Sequence, residues 1–393
     1  MSAADRCCWS TPAVDASGPS YPREISTLTW IEVRARSHET LSRGRSWGGF
    51  GGNPGPCIAA LAVCERGAAL SQRDVLDRLG LAGDEFAEGV FARCGVERRN
   101  LDISHEFVSQ TLHGRSGEVE ERLAGQAIAT VRSLNPDPHR IGTVITSSLY
   151  SLGCPSLAHR LIDELDMCPS TDKYHVTSVG CASAVPLFRL AGGAIQQRPE
   201  SDVLVVAAES MSSILTPATP HDHRAKTVGS AIFGDGCAAA VISRDERAHG
   251  PLILASAVHQ LPGTLGAVSL TLTEKDSHLH LARELPDLAA ADLGQLVDGF
   301  LHKQRTSTAA IDHWLIHPGG RRIVESARDA LDLSDEDVEL SWRALAEHGN
   351  IGTPSIFYVL KATISERKPC LGEVGLVVTI GPGVSVGLML LQW

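Results

Sequence analysis

The chain has 393 residues, 43% hydrophobic and 21% charged, a balance that excludes an intrinsically disordered protein. A formal charge of −11 without a basic block argues against nucleic acid as the main partner. Ten cysteines form no CxxC pair, and no amino-terminal apolar run marks a signal peptide, so neither a zinc ribbon nor a disulfide framework is expected.

Residues 1–56 are rich in Ser, Pro, Gly and Arg and show no sustained apolar period, which reads as a flexible extension outside the core. From Cys57 onward, short apolar runs alternate with helical stretches. Strands are predicted around Ile141, Val144 and Ile145, over Tyr174–Val179, Val203–Ala208, Ala238–Ile242 and Trp314–Ile316, and over Gly375–Ile380. Helices are predicted over Ser156–Leu165, Ala184–Gln197 and Gly320–Leu333 and over Ser355–Ala362. The Ala184–Gln197 segment is apolar almost all round and belongs between layers. Val374–Trp393 contains no charged residue, but Gly381-Pro382-Gly383 interrupts it and Val and Thr dominate its first half. That pattern predicts a buried β-hairpin rather than a membrane span. The expected fold class is layered α/β with buried central helices.

Three residues stand out by position. Cys181 follows a predicted strand and Gly180 and opens the apolar helix, where a helix amino terminus would lower its thiol pKa. The bland alternative is a small core cysteine. His317 ends the Trp314–Ile316 strand beside Pro318-Gly319-Gly320, the strand end at which α/β sheets bind ligands, or else it is a hydrogen-bonded core histidine. Asn350 lies in the turn-like His348–Thr353 stretch, where it could equally supply a turn or a cap. Together they suggest a Cys/His/Asn constellation: a thiol with a partner imidazole, and two donors for an oxygen that becomes negative. The set has no carboxylate base, which suits a carbanion made by losing CO2.

Val179-Gly180-Cys181-Ala182, Ile232-Phe233-Gly234-Asp235-Gly236, Ile316-His317-Pro318-Gly319-Gly320, Gly349-Asn350 and Gly381-Pro382-Gly383 occur in one order along the chain. In that order and spacing the sequence resembles the type III polyketide synthases, the chalcone and stilbene synthase superfamily, from about Cys57 to Trp393. Leu70-Ser71-Gln72 and Leu340-Ser341-Trp342 are similar to bacterial members. The resemblance implies a thiolase-like fold, layered α-β-α-β-α, with a half over 57–246 carrying the cysteine and a half over 247–393 carrying His and Asn. It implies that Cys181 takes an acyl starter from CoA. His317 and Asn350 would hold malonyl-CoA and stabilise the enolate left by decarboxylation. Phe233 would be a gate between CoA tunnel and cavity, with Met211, Leu279, Gly352, Gly381, Pro382 and Gly383 as further substrate-binding residues. Pyrone-, resorcinol- or phloroglucinol-type products, no metal or other cofactor, a homodimer and a cytoplasmic location are implied as well.

The sequence departs from the family pattern in places. Thr379-Ile380 stands before Gly-Pro-Gly, Ile351-Gly352-Thr353 follows the Asn, and Leu279 falls at a second gate position usually aromatic. Gly352 and Leu279 are expected to widen the pocket for a bulky or long starter. Basic residues for CoA phosphates look sparse before Arg98-Arg99, with Glu85, Glu88 and Arg93 in that region, so an acyl carrier protein is a second route for the starter. Cys154 reads as a cavity-wall residue, His221-Asp222-His223 as a solvated loop, and Asp235 as a turn carboxylate. Two other readings share the Cys/His/Asn set. A ketoacyl synthase III-like enzyme would perform one condensation or an acyl transfer, but its His motif typically lacks Pro-Gly-Gly. A papain-like hydrolase would place an aromatic after the cysteine, where this chain has Ala182.

Overall fold

The computed structural model describes residues 55–64, 69–151, 153–216, 223–245 and 248–393. The expected extension over 1–56 lies almost wholly outside these residues, as does the expected boundary at 246/247.

Nine strands form one sheet: β1 (Cys57–Val63), β2 (Ile141–Ser147), β3 (Asp172–Val176), β4 (Asp202–Glu209), β5 (Gly236–Ser243), β6 (Leu252–Gln260), β7 (His313–Ile316), β8 (Val374–Gly381) and β9 (Ser385–Gln392). Their order is β7-β8-β9-β6-β1-β5-β4-β2-β3. The first five strands in the chain adjoin one another, and so do the last four. The two groups meet at a single register pair, Cys57 with Leu252. β2 runs parallel to β3 and β4, and β7 parallel to β8, while the remaining pairs are antiparallel.

Alternation along the strands builds the layers. On β4, Leu204, Val206 and Ala208 pack with Val119, Leu123, Ala127 and Val131 of helix α1 (Leu112–Leu134) and with Leu157 and Leu161 of α2 (Leu157–Glu164). Val203, Val205 and Ala207 face the other way, onto Val185, Phe188 and Ala191 of α3 (Ala184–Gln197). The same cluster holds Val377 of β8 and Met389 and Leu391 of β9. The alternate residues Leu376, Val378, Leu388 and Leu390 pack instead with Val297 and Leu301 of α5 (Leu293–Lys303) and with Val324 of α6 (Arg321–Ala330). Between α3 and α5 in the chain lies α4 (His223–Ile232), and after α6 comes α7 (Ser355–Ala362) in the central layer. The result is the thiolase-like α-β-α-β-α stack. Helix α3 is central as its composition predicts, except that Leu190 is 46% exposed.

Two predicted elements change at the point that matters most. The Tyr174–Val179 strand stops at Val176, because Ser178 (φ 62°) and Gly180 (φ 68°) turn the chain into left-handed conformations. Cys181 then lies in a 3₁₀ turn, Gly180–Ser183, rather than in the first turn of α3. Val374–Trp393 is the expected buried hairpin, β8 paired with β9. Among the described residues, no helix is long and apolar enough to cross a membrane.

The central layer should carry much of the stability. Phe357 of α7 is 1% exposed and stacks on Phe188 of α3 at 5.3 Å between centroids. Phe357→Ala is expected to cost about 3–5 kcal/mol in chemical denaturation. Leu371→Ala, at a 97% exposed position, is expected to stay within about 0.5 kcal/mol.

Candidate active site

The three residues singled out in the sequence converge on one cavity of about 1230 Å³. Each arrives by a different element. Cys181 is held by its turn: Ser183 Oγ donates to the Gly180 carbonyl (2.7 Å), and Thr353 Oγ1 donates to the same oxygen (3.1 Å). Gly180 must be glycine, because it has positive φ and a Cβ there would lie 2.8 Å from the Pro382 ring. His317 continues β7, with its N–H donating to Val378 O (2.9 Å) and its carbonyl accepting from Gly319 N (2.8 Å). Asn350 is clamped by backbone, donating to Ile232 O (2.7 Å) and accepting from Gly234 N (3.1 Å), so that Phe233 and Asn350 form a parallel bridge. The proposed gate and the amide therefore share one support.

The Asn350 side chain is fixed at both ends. Nδ2 donates to Gly319 O (3.0 Å), and Oδ1 accepts from Gly352 N (2.9 Å). Cys181 Sγ lies 3.8 Å from Asn350 Oδ1. His317 is 1% exposed, and neither ring nitrogen has a hydrogen-bond partner among the described residues. A buried polar group left unpaired is costly, so folds keep one where chemistry needs it.

Burial sets the protonation states. Desolvation pulls His317 down to about 4, so the imidazole is neutral at neutral pH. Desolvation, reinforced by the nearby Glu209 carboxyl, pushes the Cys181 thiol up to about 12. Cys181 is only partly exposed, on the wall of the cavity, with protein packed closely around it. The lowered thiol pKa expected from the sequence is thus overturned: the turn before α3 gives no full helix terminus, and desolvation outweighs what dipole remains.

Glu209 is the residue that the sequence reading missed. It ends β4, is 2% exposed and lines the cavity. It accepts from Leu149 N (2.8 Å), and burial raises it to about 8, leaving it protonated at neutral pH. The available signal was a carboxylate directly after the apolar run Val203–Ala208, since acids are rarely buried without a role.

Among the expected substrate residues, Phe233, Met211, Leu279, Gly352, Gly381 and Pro382 line the cavity. Gly383 does not. It turns the β8–β9 hairpin at φ 65° and faces Gln260 and Leu265. Leu279 sits on a hairpin, Val268–Leu272 paired with Ser277–Leu281. Gly352 (φ 66°) lies against Met211, whose Cε would be 2.7 Å from a Cβ there. Cys154 is exposed and off the cavity, contrary to the wall position expected for it. Asp235 is the turn carboxylate expected, accepting from Ser212 N (2.8 Å) and Asp102 N (3.1 Å). His221 and Asp222 lie outside the described residues, and His223 Nε2 bonds to Asp84 Oδ2 (2.7 Å). Arg98 pairs with Glu347 (3.2 Å) and Arg99 is fully buried, so of the Arg93–Arg99 stretch only Arg93 and Cys94 reach the cavity. No group of three or more His, Cys, Asp or Glu able to hold a metal occurs among the described residues.

Comparison with known proteins agrees with this architecture. Residues 85–293 match the FAE1/Type III polyketide synthase-like protein family, and residues 253–393 match the chalcone and stilbene synthases, C-terminal domain. A putative chalcone synthase of Bacillus subtilis is 29% identical over 261 residues, 65% of this chain and 71% of the relative. A 3,5-dihydroxyphenylacetyl-CoA synthase of Streptomyces toyocaensis is 25% identical over 359 residues, 86% of this chain and 90% of the relative. The crystal structure of 1,3,6,8-tetrahydroxynaphthalene synthase from Streptomyces coelicolor superposes with a TM-score of 0.79 at 20% identity, covering 86% of this chain and 99% of that one.

The thiol's protonation can be read directly. If burial holds Cys181 near 12, its alkylation by iodoacetamide, followed by mass spectrometry of the Cys181 peptide, should rise about tenfold per pH unit from pH 7 to 10. A rate already level at about pH 8 would mean a resting thiolate.

Proposed function

Since the chain belongs to the type III polyketide synthase family, whose enzymes are acyl-CoA-using transferases that join acyl units by decarboxylative condensation without a further cofactor, we propose that Cys181, His317 and Asn350 carry that chemistry here. One observation carries this assignment: His317 is buried with both ring nitrogens unpartnered, on the cavity that Cys181 and Asn350 share.

Cys181 Sγ attacks the thioester carbonyl of the acyl-CoA starter. Its proton passes to the neutral imidazole of His317, and the CoA thiol leaves carrying a proton. Malonyl-CoA then binds with its thioester carbonyl toward the His317 N–H and the free Asn350 Nδ2–H. CO2 departs and leaves its bonding electrons as an enolate, whose oxygen those two donors stabilise. The enolate carbon attacks the Cys181 thioester, a C–C bond forms, the C–S bond breaks, and Sγ leaves as a thiolate that takes a proton from solvent water to restore the resting thiol. Phe233 and Leu279 shape the passage, with Met211, Gly352, Gly381 and Pro382 as the substrate wall and Gly383 setting the hairpin turn beneath them.

The product class we propose is a pyrone, resorcinol or phloroglucinol made from a long or bulky starter. Leucines and Met211 on the cavity wall, and a glycine at 352, support such a starter. We also propose a homodimer acting in the cytoplasm on soluble CoA thioesters, with a carrier protein as the other donor of the starter. β3 is the outer strand of the sheet, with Tyr174 50% exposed on it and Val179 37% exposed beyond it. That edge favours a second copy.

The test is turnover of malonyl-CoA with a panel of acyl-CoA starters, products being identified by mass spectrometry. Cys181→Ala should abolish product. His317→Gln and Asn350→Ala should each cost about 10²–10³ in rate. Starter-independent CO2 release or a single condensation product overturns the polyketide reading, the latter in favour of a ketoacyl synthase III-like enzyme. Gly352→Ser adds atoms against Met211 and is expected to shorten the starter that is accepted, which the same product profile reads.

A further inference from the structure

Phe233 follows α4 directly, and the carboxyl end of that helix supports both the gate and the amide. The last four carbonyls of an α-helix find no partner within it. In α4 (His223–Ile232) these belong to Gly229, Ser230, Ala231 and Ile232. All four are met from outside the helix. Phe233 N–H donates to Gly229 O (2.9 Å) and Asn350 N–H donates to Ile232 O (2.7 Å). The two between them are held by side chains: Arg99 Nη2 donates to Ser230 O, and Gln72 Nε2 donates to Ala231 O (3.0 Å). Arg99 Nη1 also donates to Gln72 Oε1, so one guanidinium grips one carbonyl and orients the amide that grips the next.

Arg99 reaches this place on a two-residue strand, Arg98–Arg99, paired with Leu70–Ser71, the residues just before Gln72. Its stem fills a notch made by two glycines. A Cβ at Gly234 would lie 3.3 Å from Arg99 Cβ, and one at Gly349 would lie 3.1 Å from Arg99 Cδ. These glycines are the chain neighbours of Phe233 and Asn350. Arg99 is 0% exposed, and burial pulls its guanidinium down to about 10, which leaves it charged at neutral pH. The Cys94 thiol and the Asp235 carboxyl act the other way, favouring the charged form. A buried charge is costly unless it is hydrogen-bonded and opposed. The negative end of the α4 dipole and the Ser230 carbonyl supply part of that opposition.

We propose that Arg99 is a positioning residue for the extension step: by fixing the end of α4 it fixes the main-chain bridge between Phe233 and Asn350, and so the place of the Asn350 amide. The guanidinium itself meets no substrate, since Arg99 does not line the cavity. The inference rests on the reading of Asn350 as a donor to the enolate. Cys181 is held elsewhere, by bonds from Ser183 and Thr353 to the Gly180 carbonyl. Loss of Arg99 therefore bears on the step that Asn350 serves and spares the acylation of Cys181. An apolar side chain of similar volume would occupy the notch without the desolvation cost of a charge. It would also leave the Ser230 carbonyl without its side-chain donor and the Gln72 amide free to turn.

The two steps can be read apart on the intact protein. Acylation of Cys181 by an acyl-CoA starter, without malonyl-CoA, is followed as the mass of the whole chain. Saturating malonyl-CoA is then added to the acylated enzyme, and decay of that mass gives the extension rate. Arg99→Met should slow extension about 10- to 100-fold, the cost of a small misplacement of a reacting group, and change acylation by no more than about twofold. Arg99→Lys, which keeps the charge and one donor, should fall between Arg99→Met and wild type. In an Asn350→Ala background Arg99→Met should add less than about twofold, because both act through one amide. Leu161→Ala, a fully buried core lesion in α2, controls for general loss of stability and should not separate the two steps. Hydrogen exchange read by mass spectrometry should be faster in Arg99→Met for peptides covering 229–234 and 349–352, and unchanged in α1. Where far-ultraviolet circular dichroism shows Arg99→Met unfolded, Gln72→Leu, which removes the neighbouring donor, carries the same comparison. Equal slowing of both steps, or losses that add in the double variant, overturns the proposal and leaves Arg99 a structural residue. Extension that does not depend on Asn350, alongside faster exchange at 229–234 and 349–352, counts instead against the assigned chemistry and leaves the positioning of the bridge standing.

Discussion

Two backbones touch with no side chain between them, and the rest of the site depends on that contact. A Cβ at Gly381 would sit 2.5 Å from the amide nitrogen of Ala182, and one at Gly180 would strike the Pro382 ring. The turn that presents Cys181 comes from the first group of strands, and the hairpin it rests on comes from the second. A third segment closes the joint, since Thr353, three residues after Asn350, donates to the Gly180 carbonyl. The distance between thiol and amide is therefore fixed by main chain and by a hydroxyl, not by long flexible side chains. Positions held this way lose little to side-chain motion, which is how a scaffold keeps reacting groups aligned.

That precision has a cost in solvation. The site lies where the central helical layer meets the strand ends, and its reacting groups are largely enclosed by protein. Burial keeps Cys181 protonated, His317 neutral and Glu209 protonated. The imidazole has no protein hydrogen-bond partner among the described residues, and an unpaired buried donor or acceptor costs about 1–3 kcal/mol. The apolar clusters on either face of the sheet offset it.

How far the sequence was legible follows from which features are local. Cys181, His317 and Asn350 each sit beside glycines at a chain reversal, and such reversals leave a mark within a few residues. The buried hairpin over Val374–Trp393 was legible because glycine and proline interrupt an apolar run. Glu209 left almost no mark, since one carboxylate at a strand end reads as the strand meeting solvent. The thiol's acidity was misread because helix position is local and desolvation is not: burial arises from how segments far apart in sequence pack around Sγ.

Glu209 shows why the floor is better uncharged. Its carboxyl is close enough to Cys181 to raise the thiol further when ionised. An anion there would also oppose the enolate, whose charge develops beside His317 and Asn350. Unit charges at about 4 Å interact by about 4 kcal/mol at an effective dielectric of about 20. Such a penalty exceeds what one neutral hydrogen bond returns, about 0.5–1.5 kcal/mol. Desolvation lifts the carboxyl to about 8, so near neutrality it holds its proton and the penalty is absent. The same desolvation denies the enzyme a standing thiolate. Activation then falls to His317, whose neutral ring can take the Sγ proton as the C–S bond forms and pass it to the departing CoA thiol. Charge thus appears only during the reaction, beside donors that the backbone already holds in place.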